Sequence, residues 1–95
     1  MDIGQILAEL RKKKGLSQVE LAKKAEITQA SLSHIESGTK KPHKSTIEKL
    51  CEVLGMPVQM FYFLAIQEED LPEDSKKKFS KIDKDMKNLI INTFC

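Results

Sequence analysis

Tryptophan is missing from this 95-residue chain, and aromatics make up only 5% of it. With 32% of residues charged and Leu, Ala, Lys, Glu and Gln filling its middle, the composition is that of a helical domain with an aliphatic core. Cysteine is nearly lacking. Cys51 and Cys95 stand without a CxxC or a Cys/His ligand spacing, which excludes a disulfide framework and a recognisable metal site. Long apolar runs are lacking too. The longest, Met60 to Ile66, is too short for a bilayer, and the first residues hold no apolar signal segment. A cytoplasmic protein with no membrane role is therefore expected. Finally, there is no glycine-rich phosphate loop and no nucleophile-base pair, and His34 and His43 stand in unrelated contexts. Neither enzyme chemistry nor a cofactor or metal is expected from such a chain.

What is present is an uneven charge. Residues 1–50 hold ten Lys/Arg against six Asp/Glu, a balance of +4, while residues 51–95 hold six against eight, a balance of −2. The surplus in the first half fits a polyanionic partner, with a solvated surface as the plainer reading of the same lysines.

Helix signals follow one another along the chain. Asp2 can cap a first helix that carries Ile3, Ile6, Leu7 and Leu10 on one face and Arg11, Lys12, Lys13 and Lys14 in its last turn, with Gly15 ending it. Ser17-Gln18-Val19-Glu20 is a capping box, predicting a second helix with Val19, Leu21, Ala22 and Ala25 turned inward. Thr28 opens a third helix that ends at Gly38, buries Leu32 and Ile35, and leaves Gln29, Ala30, Ser33 and His34 together on the other side. A basic loop, residues 39–44, precedes a second capping box, Ser45-Thr46-Ile47-Glu48. The fourth helix so opened carries Ile47, Leu50, Cys51 and Leu54 and ends at Gly55, with Cys51 read as a core residue. A fifth helix begins near Pro57 and includes Met60, Phe61, Tyr62 and Phe63, an excess of apolar surface.

After the acidic run at 67–70 and a hinge at Leu71-Pro72, Phe79, Ile82, Met86, Leu89 and Ile90 recur at helical spacing. This predicts a sixth, amphipathic helix from about Glu73. Two organisational units are expected: residues 1–66 as the main domain, and residues 67–95 as hinge and C-terminal helix. The stripe on that helix has two open destinations, a second copy of the chain or its own domain.

The pattern Ser17-Gln18, Leu21-Ala22, Ala25, Ile27-Thr28, Leu32-Ser33, Ile35-Glu36 and Gly38, with its flanking helices and basic loop, resembles the helix-turn-helix of phage-repressor and Cro-like (XRE) regulators. The resemblance covers about residues 3–65. It implies an all-α fold, a compact five-helix lambda-repressor-like bundle here extended by the C-terminal amphipathic helix. It also implies a DNA-binding transcriptional regulator, a repressor acting as a homodimer on a two-fold site in double-stranded DNA. By position, the third helix would read bases through Gln29, Ala30, Ser33 and His34. The chemistry suits this: a glutamine can bond an adenine edge twice, an alanine can meet a thymine methyl, and a histidine can donate to guanine. Phosphate contacts would come from Ser17, Gln18, Ser31, Thr39, Lys40, Lys41 and Lys44.

Glu36 is repelled by phosphate, so a structural salt bridge to Arg11 is expected instead. Two positions depart from the family pattern: Glu26 occupies a turn site where glycine is common, and Pro57 stands where a Ser or Thr cap is usual. The rival to DNA recognition is a protein-protein module, antitoxin-like or adaptor, that uses the same bundle with a protein partner.

Overall fold

The computed structural model describes residues 2–67 and 70–95, and all of their side chains except those of residues 77 and 79–82. Among the described residues there are six α-helices and no strand: α1 (Ile3–Lys13), α2 (Gln18–Lys24), α3 (Gln29–Glu36), α4 (Lys44–Leu54), α5 (Val58–Ala65) and α6 (Glu73–Phe94). Helix α3 lies across α1 and α2, while α5 bridges α1, α4 and α6. Leu7, Leu10, Leu21, Leu32, Ile35, Ile47, Leu50, Leu54, Phe61 and Leu64 meet in one core.

Short local signals set most helix ends. The Asp2 carboxylate accepts from the Gln5 backbone N–H at 3.1 Å. At α2 the capping box closes in both directions, Glu20 N–H to Ser17 Oγ at 3.0 Å and Ser17 N–H to Glu20 Oε1 at 3.0 Å. Thr28 Oγ1 accepts from Ser31 N–H at 3.0 Å. Each bond satisfies an N–H that the helix itself leaves without a partner.

The fourth helix begins differently from expectation. His43 is its N-cap and contributes no side-chain bond. Ser45 therefore lies inside the first turn rather than capping it. Beyond Pro42 the His43 backbone is extended, and its carbonyl accepts from Thr46 N–H at 3.0 Å and Ile47 N–H at 3.1 Å. Those bonds start the helix ahead of the Ser45 box. Val19 also departs from expectation, being 57% exposed. It stands two residues, roughly 200° of helix, from buried Leu21, and so faces away from the core.

Gly4 allows α1 and α3 to touch. A Cβ there would lie 2.5 Å from the Ile35 carbonyl oxygen and 2.6 Å from that of Glu36. Glycine inside a helix costs about 0.5–1 kcal/mol relative to alanine, but here it removes a backbone collision. Cys51 is buried, and burial pushes its thiol up to about 11, so it stays protonated and behaves as a small apolar side chain.

The end of α6 turns back on the bundle. Ile90 is buried in the chain's own core, with Ile91 and Phe94 packed beside it. Ile90 was expected in the stripe available to a partner; it belongs instead to the inward face, on the same side of the helix as Ile91 and Phe94. Met86 and Leu89 remain 43% and 61% exposed. The Phe79 and Ile82 side chains, expected in the same stripe, lie outside the described residues.

Candidate nucleic-acid interface

The N-terminal half of α3 is held at its start by the Thr28 cap and anchored underneath by Leu32 and Ile35, which are buried. With those two residues fixing its rotation, Gln29, Ala30, Ser33 and His34 all emerge into solvent. Positions 29, 30, 33 and 34 share one helical face, with side chains short enough for a protein surface to approach a base edge closely. No described bond occupies the Gln29 or His34 side chain.

The segment after α3 folds back along the helix. The His34 carbonyl accepts from Thr39 N–H at 3.0 Å, Lys40 N–H at 3.1 Å and the Ser37 hydroxyl at 3.1 Å. Ser37 and Thr39 hydroxyls lie 2.8 Å apart, and the Lys40 ammonium donates to Ser31 Oγ at 3.1 Å. Lys40 and Ser31 therefore stand together at one edge of the exposed face. Lys41 and Lys44 are exposed on the same connection, and Ser17 is exposed at the start of α2. The result is an uncharged polar face bordered by ammonium groups and a helix N-terminus. Such an arrangement can place bases in the centre and phosphates at the rim.

Behind this face is a polar anchor. Arg11 Nε donates to Glu36 Oε2 at 2.8 Å and Arg11 Nη2 to Glu36 Oε1 at 3.0 Å, a two-bond pair joining α1 to the end of α3. Arg11 Nη1 also donates to the Leu16 carbonyl at 2.8 Å, and Gln18 Nε2 to Glu36 Oε1 at 3.0 Å. Arg11 is only 8% exposed. The Glu36 hydrogen bond, opposed in part by burial, holds its guanidinium above the ordinary value. Arg11 is thus committed to the anchor, while Lys12, Lys13 and Lys14 at the same basic end of α1 are exposed.

Two parts of this site were not foreseen from sequence. The Gln18 amide is the third donor to Glu36, a partner that its expected place among the phosphate contacts did not indicate. Gly4 gives only a weak signal in the sequence, since an isolated glycine in a helical pattern is simply tolerated at some cost, and its reason emerges when α1 and α3 pack.

Comparison with known proteins bears on the same segment. A helix-turn-helix family model matches residues 7–61, which include all of α2 and α3. The immunity repressor protein of Bacillus phage phi105 is 33% identical over 87 residues, covering 90% of this chain and 58% of the repressor. The HTH-type transcriptional regulator PuuR of Escherichia coli is 36% identical over 59 residues, 62% of this chain and 32% of that protein. An uncharacterized HTH-type transcriptional regulator of Mycobacterium tuberculosis is 37% identical over 54 residues, 57% of this chain and 21% of its own length. The chain thus spans little more than half the length of the phage repressor and less of the other two.

Proposed function

The chain belongs to the helix-turn-helix family of DNA-binding transcriptional regulators, and from that premise we propose that it is a repressor binding a two-fold operator as a homodimer. The observation that carries this reading is the exposed α3 face, Gln29, Ala30, Ser33 and His34, fixed from behind by the Arg11–Glu36 pair and bordered by Lys40, Lys41 and Lys44. In this reading α3 enters the major groove. Gln29 bonds an adenine edge, Ala30 meets a thymine methyl, and Ser33 and His34 contact the next bases. Ser17 and Gln18 bind phosphate through backbone N–H groups at the α2 N-terminus, and Ser31, Thr39 and the three lysines bind it from the other side. The repressor outcome is supported by the phage immunity repressor, a relative matched along 90% of this chain.

Dimerisation assigns a role to what α6 leaves outside. Met86 and Leu89 stand three residues apart on one exposed helix face, and we place a second copy against them, with residues 67–95 as the joining unit and residues 1–66 as the reading unit. Two recognition helices so joined would stand about 34 Å apart, one turn of DNA.

The test is binding to duplex DNA over a salt series, with sedimentation run in parallel. Six lysines per dimer on phosphate, three from each protomer, predict a slope of about −5 in log affinity against log salt. A dimer in sedimentation should accompany it, and Leu89→Lys should convert that dimer to monomer. A salt-independent affinity would remove the phosphate rim from the account, and a Leu89→Lys protein that stays dimeric would remove the α6 interface.

A further inference from the structure

Beyond the base and phosphate contacts, one side chain ties α6 to the bundle with a directional polar bond. Lys87 reaches from α6 to the end of α5, where its ammonium donates to the Ile66 carbonyl at 2.7 Å. The same ammonium lies 2.8 Å from Asp83 Oδ1, one turn earlier on α6. The lysine side chain is only 20% exposed and the aspartate 28%. A lysine head is strongly hydrated and usually stays in water, so drawing it down to a backbone carbonyl requires compensation. The compensation is visible: a carboxylate beside it, and the C-terminal end of a helix, where the aligned peptide dipoles favour positive charge. The neighbouring carbonyl of the same helix end, Ala65, accepts from Asp2 N–H at 2.9 Å, at the start of α1. The end of α5 is therefore a junction joining α1, α5 and α6.

We propose that Lys87 is a positioning residue for operator recognition: its clasp on the end of α5 sets the direction in which α6 leaves the bundle, and so the separation of the two recognition helices in the dimer. Apolar packing of Ile90, Ile91 and Phe94 seats the C-terminal end of α6, and a contact away from that seat adds angular definition. A hydrogen bond to a carbonyl is directional and supplies that definition. The clasp lies one turn before Ile90 and Ile91, so it adds a second, separate point of attachment, and two points fix an axis. This inference rests on the reading above that α6 joins two copies. Moving one half-site by a single base pair shifts it by about 3.4 Å and turns it by about 34°. Small changes in α6 direction would then appear as changes in preferred spacing.

The experiment uses the full chain and duplexes carrying two inverted copies of the half-site the protein itself selects. The centre-to-centre distance is ten base pairs or is altered by one in each direction, and a duplex with a single half-site serves as control. The wild-type protein should prefer one spacing by at least about ten-fold, since re-aligning mis-spaced half-sites requires twisting the DNA. Lys87→Met should remain dimeric by sedimentation and bind the single half-site as before, yet show a spacing preference below about three-fold. Lys87→Arg, which can still donate to the carbonyl, should restore it. A Lys87→Met protein that keeps the full preference overturns the proposal, as does one that loses affinity equally on all duplexes, the mark of a merely structural residue. Should Lys87→Met fail to fold, Asp83→Asn, which keeps the lysine and removes its counter-charge, must narrow the preference. An unchanged preference in that variant also overturns the proposal. If the wild-type protein is itself monomeric or indifferent to spacing, the two-copy reading falls, and with it this one.

Discussion

Glu26 has a φ of +59°, in the left-handed region, where an L side chain crowds the following carbonyl at a cost of roughly 1–2 kcal/mol. It sits in the turn between α2 and α3, where the resemblance had suggested glycine, so this strain was legible in the sequence once the turn was placed. Glu26→Gly should raise the unfolding free energy by about 1 kcal/mol, the relief of strain being reduced by the greater freedom of glycine in the unfolded chain. In a domain of this size that is an increase of about 4–8 °C in the melting midpoint followed by circular dichroism. A lower midpoint would mean that the Glu26 side chain stabilises the turn in some other way. Arg11 is the opposite case, a strained-looking demand that the structure meets in full. With Glu36 and the Leu16 carbonyl all bonded to it, Arg11→Ala leaves a buried carboxylate without its counter-charge, and a loss of about 3–5 kcal/mol in urea denaturation is expected. DNA affinity should fall with it, because α3 loses its tie to α1. A mutant that melts like the wild-type protein would show that the pair contributes nothing net. The partnership of Arg11 with Glu36 could be anticipated because a carboxylate beside phosphates needs a structural reason. The share of Gln18 in it could not, since an amide at a helix N-terminus has many partners within reach.

At the scale of elements, the helices whose ends are set by side chains close in sequence were the readable ones. The α2 capping box has a pH signature of its own. The Ser17 backbone N–H, with its hydroxyl as the smaller contributor, holds the Glu20 carboxyl below its ordinary value. A folded-state value below the unfolded one means stability that is present above the unfolded value of 4.5 and lost as pH falls through the lower folded value. Glu20→Gln should therefore show a shallower acid loss of stability than the wild-type protein below about pH 4.5, and the two should run parallel above it. Parallel curves throughout the acid range would remove the charged cap from the account. Helix α4 was misplaced at its start because two local signals overlap there, the Ser45 box and the extended His43 that follows Pro42, and the His43 carbonyl takes the Thr46 and Ile47 N–H groups. Val19 was assigned inward because it is apolar, when the phase set by Leu21 and Ala22 turns it outward. For α6 the periodicity announced a helix and an apolar stripe, but amphipathicity carries no information about which surface will cover it. The inward turn of Ile90 could come only from tertiary structure.

The whole molecule is a helical bundle with one exposed polar face on α3 bordered by Lys40, Lys41 and Lys44, and a long α6 whose C-terminal end packs back on the core through Ile90. Its radius of gyration is 13.6 Å and its longest extent 41 Å. A single chain of that length could follow about one turn of DNA, roughly 34 Å, and in the proposed reading brings one α3 to it. Two-fold recognition therefore requires the second copy that α6 is proposed to recruit. The family was legible because the spacing of buried positions in α2 and α3, the caps and the basic loop are all written locally in the sequence. The arrangement of two such units is not, because in the proposed dimer it depends on how α6 docks on the end of α5, which tertiary contacts set. Base reading by α3 is open to test by selection of bound sequences from a random duplex pool, carried out with the wild-type protein and with Gln29→Ala. The wild-type protein should select an inverted repeat, and the mutant the same repeat with preference relaxed at one position in each half, worth about 1–3 kcal/mol. Unselective binding by the wild-type protein, or a mutant that weakens equally on every sequence, would contradict it.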